Sequence, residues 1–141
     1  VTDFYDTSVL VAAFWADHPS HGSCLRLLAG ARPETSACCA HSLAEVYAVT
    51  TRMPVKPRVL PEQAMLFIED VRSRLKIIHL DGAGYAAVLR ESAQNRITGG
   101  RIYDAIILAC ARQADAGCVW TLNPADFVQI APDLSDRIRV P

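Results

Sequence analysis

Four carboxylates stand where an apolar chain has most reason to avoid them. Asp6 closes the short segment FYD (4–6), Glu45 lies in SLAEVYAVTTR, Asp104 opens the run RIYDAIILACARQA (101–114), and Asp126 follows CVWTL within NPADF. An ionised carboxylate removed from water is costly unless something pairs with it. Two of them about 5 Å apart repel by roughly 3 kcal/mol at an effective dielectric of about 20. If the four meet, protons or a cation must compensate. Such a site offers oxygen and no sulfur or imidazole, which selects a hard cation, Mg²⁺ or Mn²⁺. The natural chemistry is hydrolysis of a phosphodiester by a metal-activated water, a second ion steadying the leaving oxygen, with no covalent enzyme intermediate. Each acid also has an ordinary reading. Asp6 suits a helix N-cap, Glu45 a solvent-facing helix position, Asp104 a helix-dipole or capping role, and Asp126 a turn.

Meeting requires a scaffold, and the apolar pattern predicts one. FYD ends a short strand, and TSVLVAAFWA (7–16) has helical spacing with Thr7 and Ser8 as its expected caps. DHPSHGS (17–23) reads as a turn into a second helix, CLRLLAG, stopped by Gly30. TSACCA (35–40) is strand-like, HSLAEVYAVTTR (41–52) is helical with Ser42 as cap, and the proline-rich 53–61 is a loop. PEQAMLFIEDVRSRL (61–75) opens a helix on proline, and KIIHL (76–80) is a buried strand. Helices at 84–97 and 101–114 flank the break TGG (98–100). CVWTL (118–122) and RIRV (137–140) complete the strands, the last at an edge. Short strands alternating with helices imply a three-layer α/β/α sandwich with a short, mostly parallel central sheet, one domain over 1–141. Ligands of such sheets bind beyond the carboxyl ends of the strands. Asp6, Glu45 and Asp126 follow strands, and Asp104 sits in the first turn of the helix leading into one, so all four can reach that edge.

Composition narrows the class. Over 141 residues, 51% are hydrophobic and 21% charged, the range of a folded domain and not of a disordered chain. The apolar run VLVAAFWA (9–16) is far too short to span a membrane, and no basic segment precedes it as in a signal peptide, so a cytoplasmic protein without membrane attachment is the expectation. Five cysteines in apolar surroundings, without a C-x-x-C pair, read as small core residues and exclude a disulfide framework or zinc clip. A net charge of −1 gives no bulk attraction to nucleic acid, although twelve of the fourteen basic residues are arginine, which suits phosphate recognition.

Together these segments resemble a known family. FYDTSVLVAAF, SLAEVYAVTTR, RIYDAIILACA and WTLNPADF are similar, in order and spacing, to the four signature segments of PIN domains, and most closely to those of VapC-type toxins. The resemblance covers nearly the whole chain. It implies a metal-dependent endoribonuclease using Mg²⁺ or Mn²⁺, with tRNA or ribosomal RNA as substrate. It also implies a cognate VapB-type antitoxin whose tail blocks the groove, and a toxin homodimer, for which AMLFIEDV and the first helices offer apolar faces. The family's acids fall on Asp6, Glu45 and Asp104. The fourth departs: two residues after Thr121, where an Asp is common, stands Asn123, and the T-x-N-x-x-D-F variant supplies Asp126 instead. Asp126 is therefore the expected fourth acid, with Asn123 assisting through its amide oxygen.

Other motifs carry weaker expectations. Asp17, His18, His21 and Cys24 have metal-like spacing, yet a turn, or a loop beside the substrate groove, explains them more simply than zinc. DGAGY (81–85) lacks the third glycine of a dinucleotide fingerprint and reads as a helix start. Arg101, one turn before Asp104, can touch phosphate or pair with an acid, while Arg72, Arg74 and Arg112 read as solvated helix faces. Two rivals share the pattern: a PIN-like module that holds RNA or protein without cutting, and a DNA nuclease, which needs gripping elements a chain of this length does not accommodate.

Overall fold

Segments of aromatic, branched and small apolar residues form the strands, and helices cover them on both sides. The computed structural model describes all 141 residues, Val1–Pro141. The chain runs β1 (Asp3–Tyr5), α1 (Thr7–Phe14), α2 (His21–Gly30), β2 (Ser36–Cys39), α3 (Ala40–Arg52), α4 (Pro61–Arg74), β3 (Lys76–Ile78) and α5 (Gly82–Gln94). It continues through α6 (Arg101–Gln113), β4 (Cys118–Trp120), α7 (Pro124–Ile130), a short 3-10 turn (Pro132–Leu134) and β5 (Ile138–Arg139). The five strands lie in the order β3-β2-β1-β4-β5, and every pairing is parallel, the register setting Tyr5 opposite Cys38 on one side and Trp120 on the other. No helix is long and apolar enough to cross a membrane.

Strand alternation divides the core in two. Phe4, Ala37, Cys39 and Val119 join one buried cluster with Ile106, Ile107, Leu108 and Phe127, while Tyr5 and Cys38 join the other with Val9, Leu10, Val46 and Val71. Side chains of successive strand residues point to opposite faces, so the two clusters are the two faces of one sheet and the architecture is α/β/α. Phe127, with no exposed surface, pins α7 to the first cluster. Phe127→Ala is expected to cost about 3–5 kcal/mol, read as a lowered midpoint in urea unfolding.

Several local boundaries depart from the sequence reading. Helix α1 ends at Phe14 and α2 begins at His21, inside the expected turn. The cause is a side-chain bond: His21 Nδ1 donates to Ala12 O at 2.8 Å, satisfying a carbonyl that the end of α1 leaves open. Ser42 is not the cap of α3. Strand β2 runs straight into the helix, Cys39 takes the cap position, and Ser42 is buried within the first turn with its hydroxyl unpartnered. Helix α5 starts at Gly82, capped by Asp81, whose carboxylate accepts from Gly84 N–H at 2.7 Å. All five cysteines are free and four are buried, Cys39 and Cys110 meeting sulfur to sulfur at 3.4 Å.

Candidate active site

The sheet order places a crevice by topology alone. From β1 the chain winds outward through β2 and β3, then returns to the other side of β1 as β4 and β5. The winding reverses between β1 and β4, and ligands of open α/β sheets bind beyond the carboxyl ends of the strands at such a point. Asp6 follows β1 and Thr121 follows β4 there, and Thr121 Oγ1 donates to Asp6 Oδ2 at 2.8 Å. Ser8 Oγ donates to the same oxygen at 2.6 Å and accepts from Leu122 N–H at 3.0 Å, tying the start of α1 to the β4 end. Across the crevice, Thr7 Oγ1 donates to Glu45 Oε1 at 2.9 Å. Asp104 enters from α6, whose first turn lies at this edge. Asp6, Glu45 and Asp104 line a single cleft of about 450 Å³ with Thr7, Ser8 and Asn123.

Each of the three acids is held above its ordinary carboxylate range. Asp6 is 3% exposed; burial pushes it up, and the Ser8 and Thr121 hydroxyls pull it back in part. Burial also raises Glu45, with the Thr7 bond and His41 opposing and Asp6 adding to the rise. Asp104 is raised to about 6 by burial first, then by the charges of Asp6, Glu45 and Asp126, with Arg101 opposing. Removal from water and mutual repulsion disfavour the same charged state, and a bound cation relieves both.

The donor set suits a hard ion, since the acids, the hydroxyls of Thr7 and Ser8 and the amide of Asn123 that line the cleft offer oxygen. As they stand, no three His, Cys, Asp or Glu side chains enclose an ion. Hydroxyls hold one oxygen of Asp6 and one of Glu45 in this arrangement. Asp6, Glu45 and Asp104, the acids that line the cleft, are the residues that would hold the ion.

The fourth position is divided between two residues. Asn123 lines the cleft, exposed at the cap position of α7, its N–H donating to Thr121 Oγ1 at 3.0 Å. Asp126 sits one turn further, exposed and outside the lining, yet its charge reaches Asp104. Asn123 is therefore the inner group and Asp126 the outer one. Arg101 donates to Gln129 Oε1 at 3.1 Å. Arg72, Arg74 and Arg112 pair on the surface with Glu69, Asp70 and Asp133.

Comparison with known proteins decides the family. The PIN domain profile matches residues 4–131. The chain is 34% identical, over 111 residues and 79% of each chain, to Ribonuclease VapC40 of Mycobacterium tuberculosis. This chain belongs to the PIN-domain family, among its VapC ribonucleases. Two solved structures share its fold. Mycobacterium tuberculosis VapC20, a Sarcin-Ricin loop cleaving toxin, superposes with a TM-score of 0.67 at 19% identity, covering 84% of this chain and 87% of that one. VapBC2 from Rickettsia felis, bound to a DNA fragment from their promoter, gives 0.66 at 24% identity over 100% and 99%.

Within this PIN domain the hydroxyls are the residues that sequence reasoning misassigned. Thr7 and Ser8 do not cap α1 and neither does the Asp6 side chain; the hydroxyls hold carboxylates, and Thr121 does the same from the opposite end of the chain. The only sequence signal was a hydroxyl directly after a strand-ending acid. Thr121→Val removes one donor from Asp6 and the acceptor of Asn123 N–H. It is expected to push the Asp6 carboxyl higher and to cost about 1–2 kcal/mol, measured by urea unfolding at pH 7.5. The metal-like spacing of Asp17 to Cys24 does not make a zinc site: His18 and His21 are bonded to separate backbone groups, and Cys24 is buried in the core.

Proposed function

We propose that this VapC ribonuclease is the toxin of a VapBC-type toxin–antitoxin pair, an endoribonuclease that hydrolyses RNA phosphodiester bonds with Mg²⁺ or Mn²⁺ held by Asp6, Glu45 and Asp104. One observation carries the reading: three acids from three separate elements open into one cleft at the sheet's switch point, each raised above its normal range. Bound there, a divalent cation neutralises phosphate charge and acidifies water for attack. Asp6 is the fixed anchor, because two hydroxyls hold one of its oxygens and leave Oδ1 free of them. Thr7 fixes Glu45 in the same way. Asp104 is less buried than Asp6, and burial with the neighbouring acids raises its carboxyl to about 6, so its charge is the one a cation stabilises most directly near neutral pH. Asn123 orients water or phosphate through its amide without adding charge. Asp126 supplies outer negative charge and can hold the ion through water.

The family resemblance supports tRNA or ribosomal RNA as the substrate. A VapB-type antitoxin blocks the cleft, and the chain self-associates through α4, where Met65 and Leu66 are exposed, Leu66 by 75%. Incubation with structured RNA in Mg²⁺ or Mn²⁺, beside Asp6→Ala and Asp104→Asn, tests the activity. Cleavage by the wild type only is expected; equal cleavage by all three proteins would refute this site. Light scattering at two protein concentrations, with Leu66→Asp as control, tests the dimer, which that variant should dissociate.

A further inference from the structure

Helix α3, which carries Glu45, and helix α1, which follows Asp6, also present apolar side chains along the cleft away from the acids. On α3, Glu45, Val49 and Met53 (just past its end) follow one another at four-residue steps, and on the facing side Ser8 and Val11 lead to Trp15. Steps of three and four residues keep side chains on one helix face. At about 1.5 Å rise per residue, each wall runs roughly 10–12 Å from the acid cluster. All of these line the same cleft as the acids, and Pro54 and Leu122 complete its apolar surface. Val49 leaves 43% of its surface to water on that wall. The cleft, about 450 Å³, lies within the range of about 300–1,000 Å³ typical of small-ligand sites.

His18 gives this apolar end a polar mark. Its ring stands edge-on to Trp15, centroids 5.7 Å apart at 71°, and it lines the cleft. Ser20 N–H donates to His18 Nδ1 at 3.0 Å. A ring nitrogen that accepts carries no proton, so the neutral imidazole bears its hydrogen on Nε2 and offers a donor. No protein partner takes that hydrogen. A ligand that suits the whole cleft has an anionic group for the cation-binding end, a flat apolar ring for the wall, and a hydrogen-bond acceptor on the ring's edge. A nucleotide has all three joined through one sugar, and unpaired bases are recognised by apolar and aromatic contact together with hydrogen bonds to their edges.

We infer that the Val11–Trp15–Val49–Met53 end of the cleft receives one unpaired nucleobase next to the phosphate to be cut, and that His18 sets the base preference through its Nε2–H. The inference rests on the ribonuclease reading and adds the substrate's subsite to it. His18 contacts the base and not the reacting atoms, so its loss alters which sites are cut more than whether any are cut.

Two measurements test this. Sequencing the cleavage ends of a randomised RNA should show, for the wild type, about a tenfold or greater preference for one set of bases beside the cut, falling below about threefold in His18→Ala. In a Trp120→Phe background Trp15 is the sole indole, and phosphorothioate RNA trinucleotides in Mg²⁺ should quench it in the same order of base preference, about tenfold more weakly with His18→Ala. His18→Asn, which can still accept from Ser20 N–H, guards against a merely unfolded turn and should also change the preference. Cleavage with unchanged base preference in both variants overturns the inference and leaves the ribonuclease reading standing. Base-dependent quenching without cleavage of any RNA by the wild type supports the subsite and overturns the hydrolytic reading. Neither cleavage nor quenching overturns both.

Discussion

Asp6→Asn is expected to lower RNA cleavage by on the order of 10³-fold or more while unfolding at the same or a higher temperature at neutral pH. The two effects have one cause. Asp6 is almost wholly buried, and removal from water raises its carboxyl against the pull of the Ser8 and Thr121 hydroxyls. Its negative charge therefore opposes folding in the absence of a cation, and a neutral amide of the same shape removes that opposition. The amide oxygen can still accept from Ser8 and Thr121, so the latch between α1 and the β4 end survives. What is lost is the anion at the centre of the cleft. A ribonuclease assay with thermal unfolding on the same preparations checks both halves. Full activity in Asp6→Asn would remove the carboxylate from the chemistry, and a collapse of its stability would show that the charge is structural.

The second large effect couples pH to metal. Asp104 is raised to about 6 in the folded chain, against about 3.9 for an unperturbed aspartate. The fold thus favours the protonated carboxyl. That contribution to stability is complete below about pH 4 and disappears as pH rises through about 6. Asp6 and Glu45 are shifted in the same direction and add to the trend. Asp133 is shifted oppositely by Arg112, but its contribution is lost only on acidification below the ordinary aspartate range. In EDTA the protein should therefore melt higher at pH 5 than at pH 7.5. Since Asp104 is only half-buried, solvent screening reduces its share to on the order of 1 kcal/mol, about 2–4 °C in Tm for a chain of this size. Mn²⁺ should raise Tm at pH 7.5, by about 2.7 kcal/mol in stability at a hundred times its Kd, and much less at pH 5, where protons compete for the carboxylates. Asp104→Asn should flatten the pH dependence in EDTA. Calorimetry across that range, with and without Mn²⁺, reads each point; a Tm indifferent to both pH and metal would remove the charge cluster from the account.

How much of this was legible beforehand depends on how local its cause is. The helix beginning at Arg101 was evident because the run after Tyr103 is apolar and follows the break TGG, and α5 because DGAGY reads as a helix start. Those signals act within a few residues. Ser42 was misread as a cap because its role depends on β2 entering α3 without a loop, which nothing in its own neighbourhood announces. Thr121 was read as a landmark before Asn123, and its bond to Asp6 joins positions 115 residues apart.

The amino-acid sequence by itself determined the chemistry available: oxygen donors rather than sulfur or imidazole, alternating strands and helices, and the PIN-like order of segments. Only the tertiary structure decided that Asn123 faces the cleft while Asp126 stands at its rim, that hydroxyls latch two of the acids, and that the apolar face of α3 continues the cleft toward His18. The division has a physical reason. Donor type is fixed by the residue itself, whereas burial, repulsion and hydrogen-bond partnership depend on what the rest of the chain brings alongside.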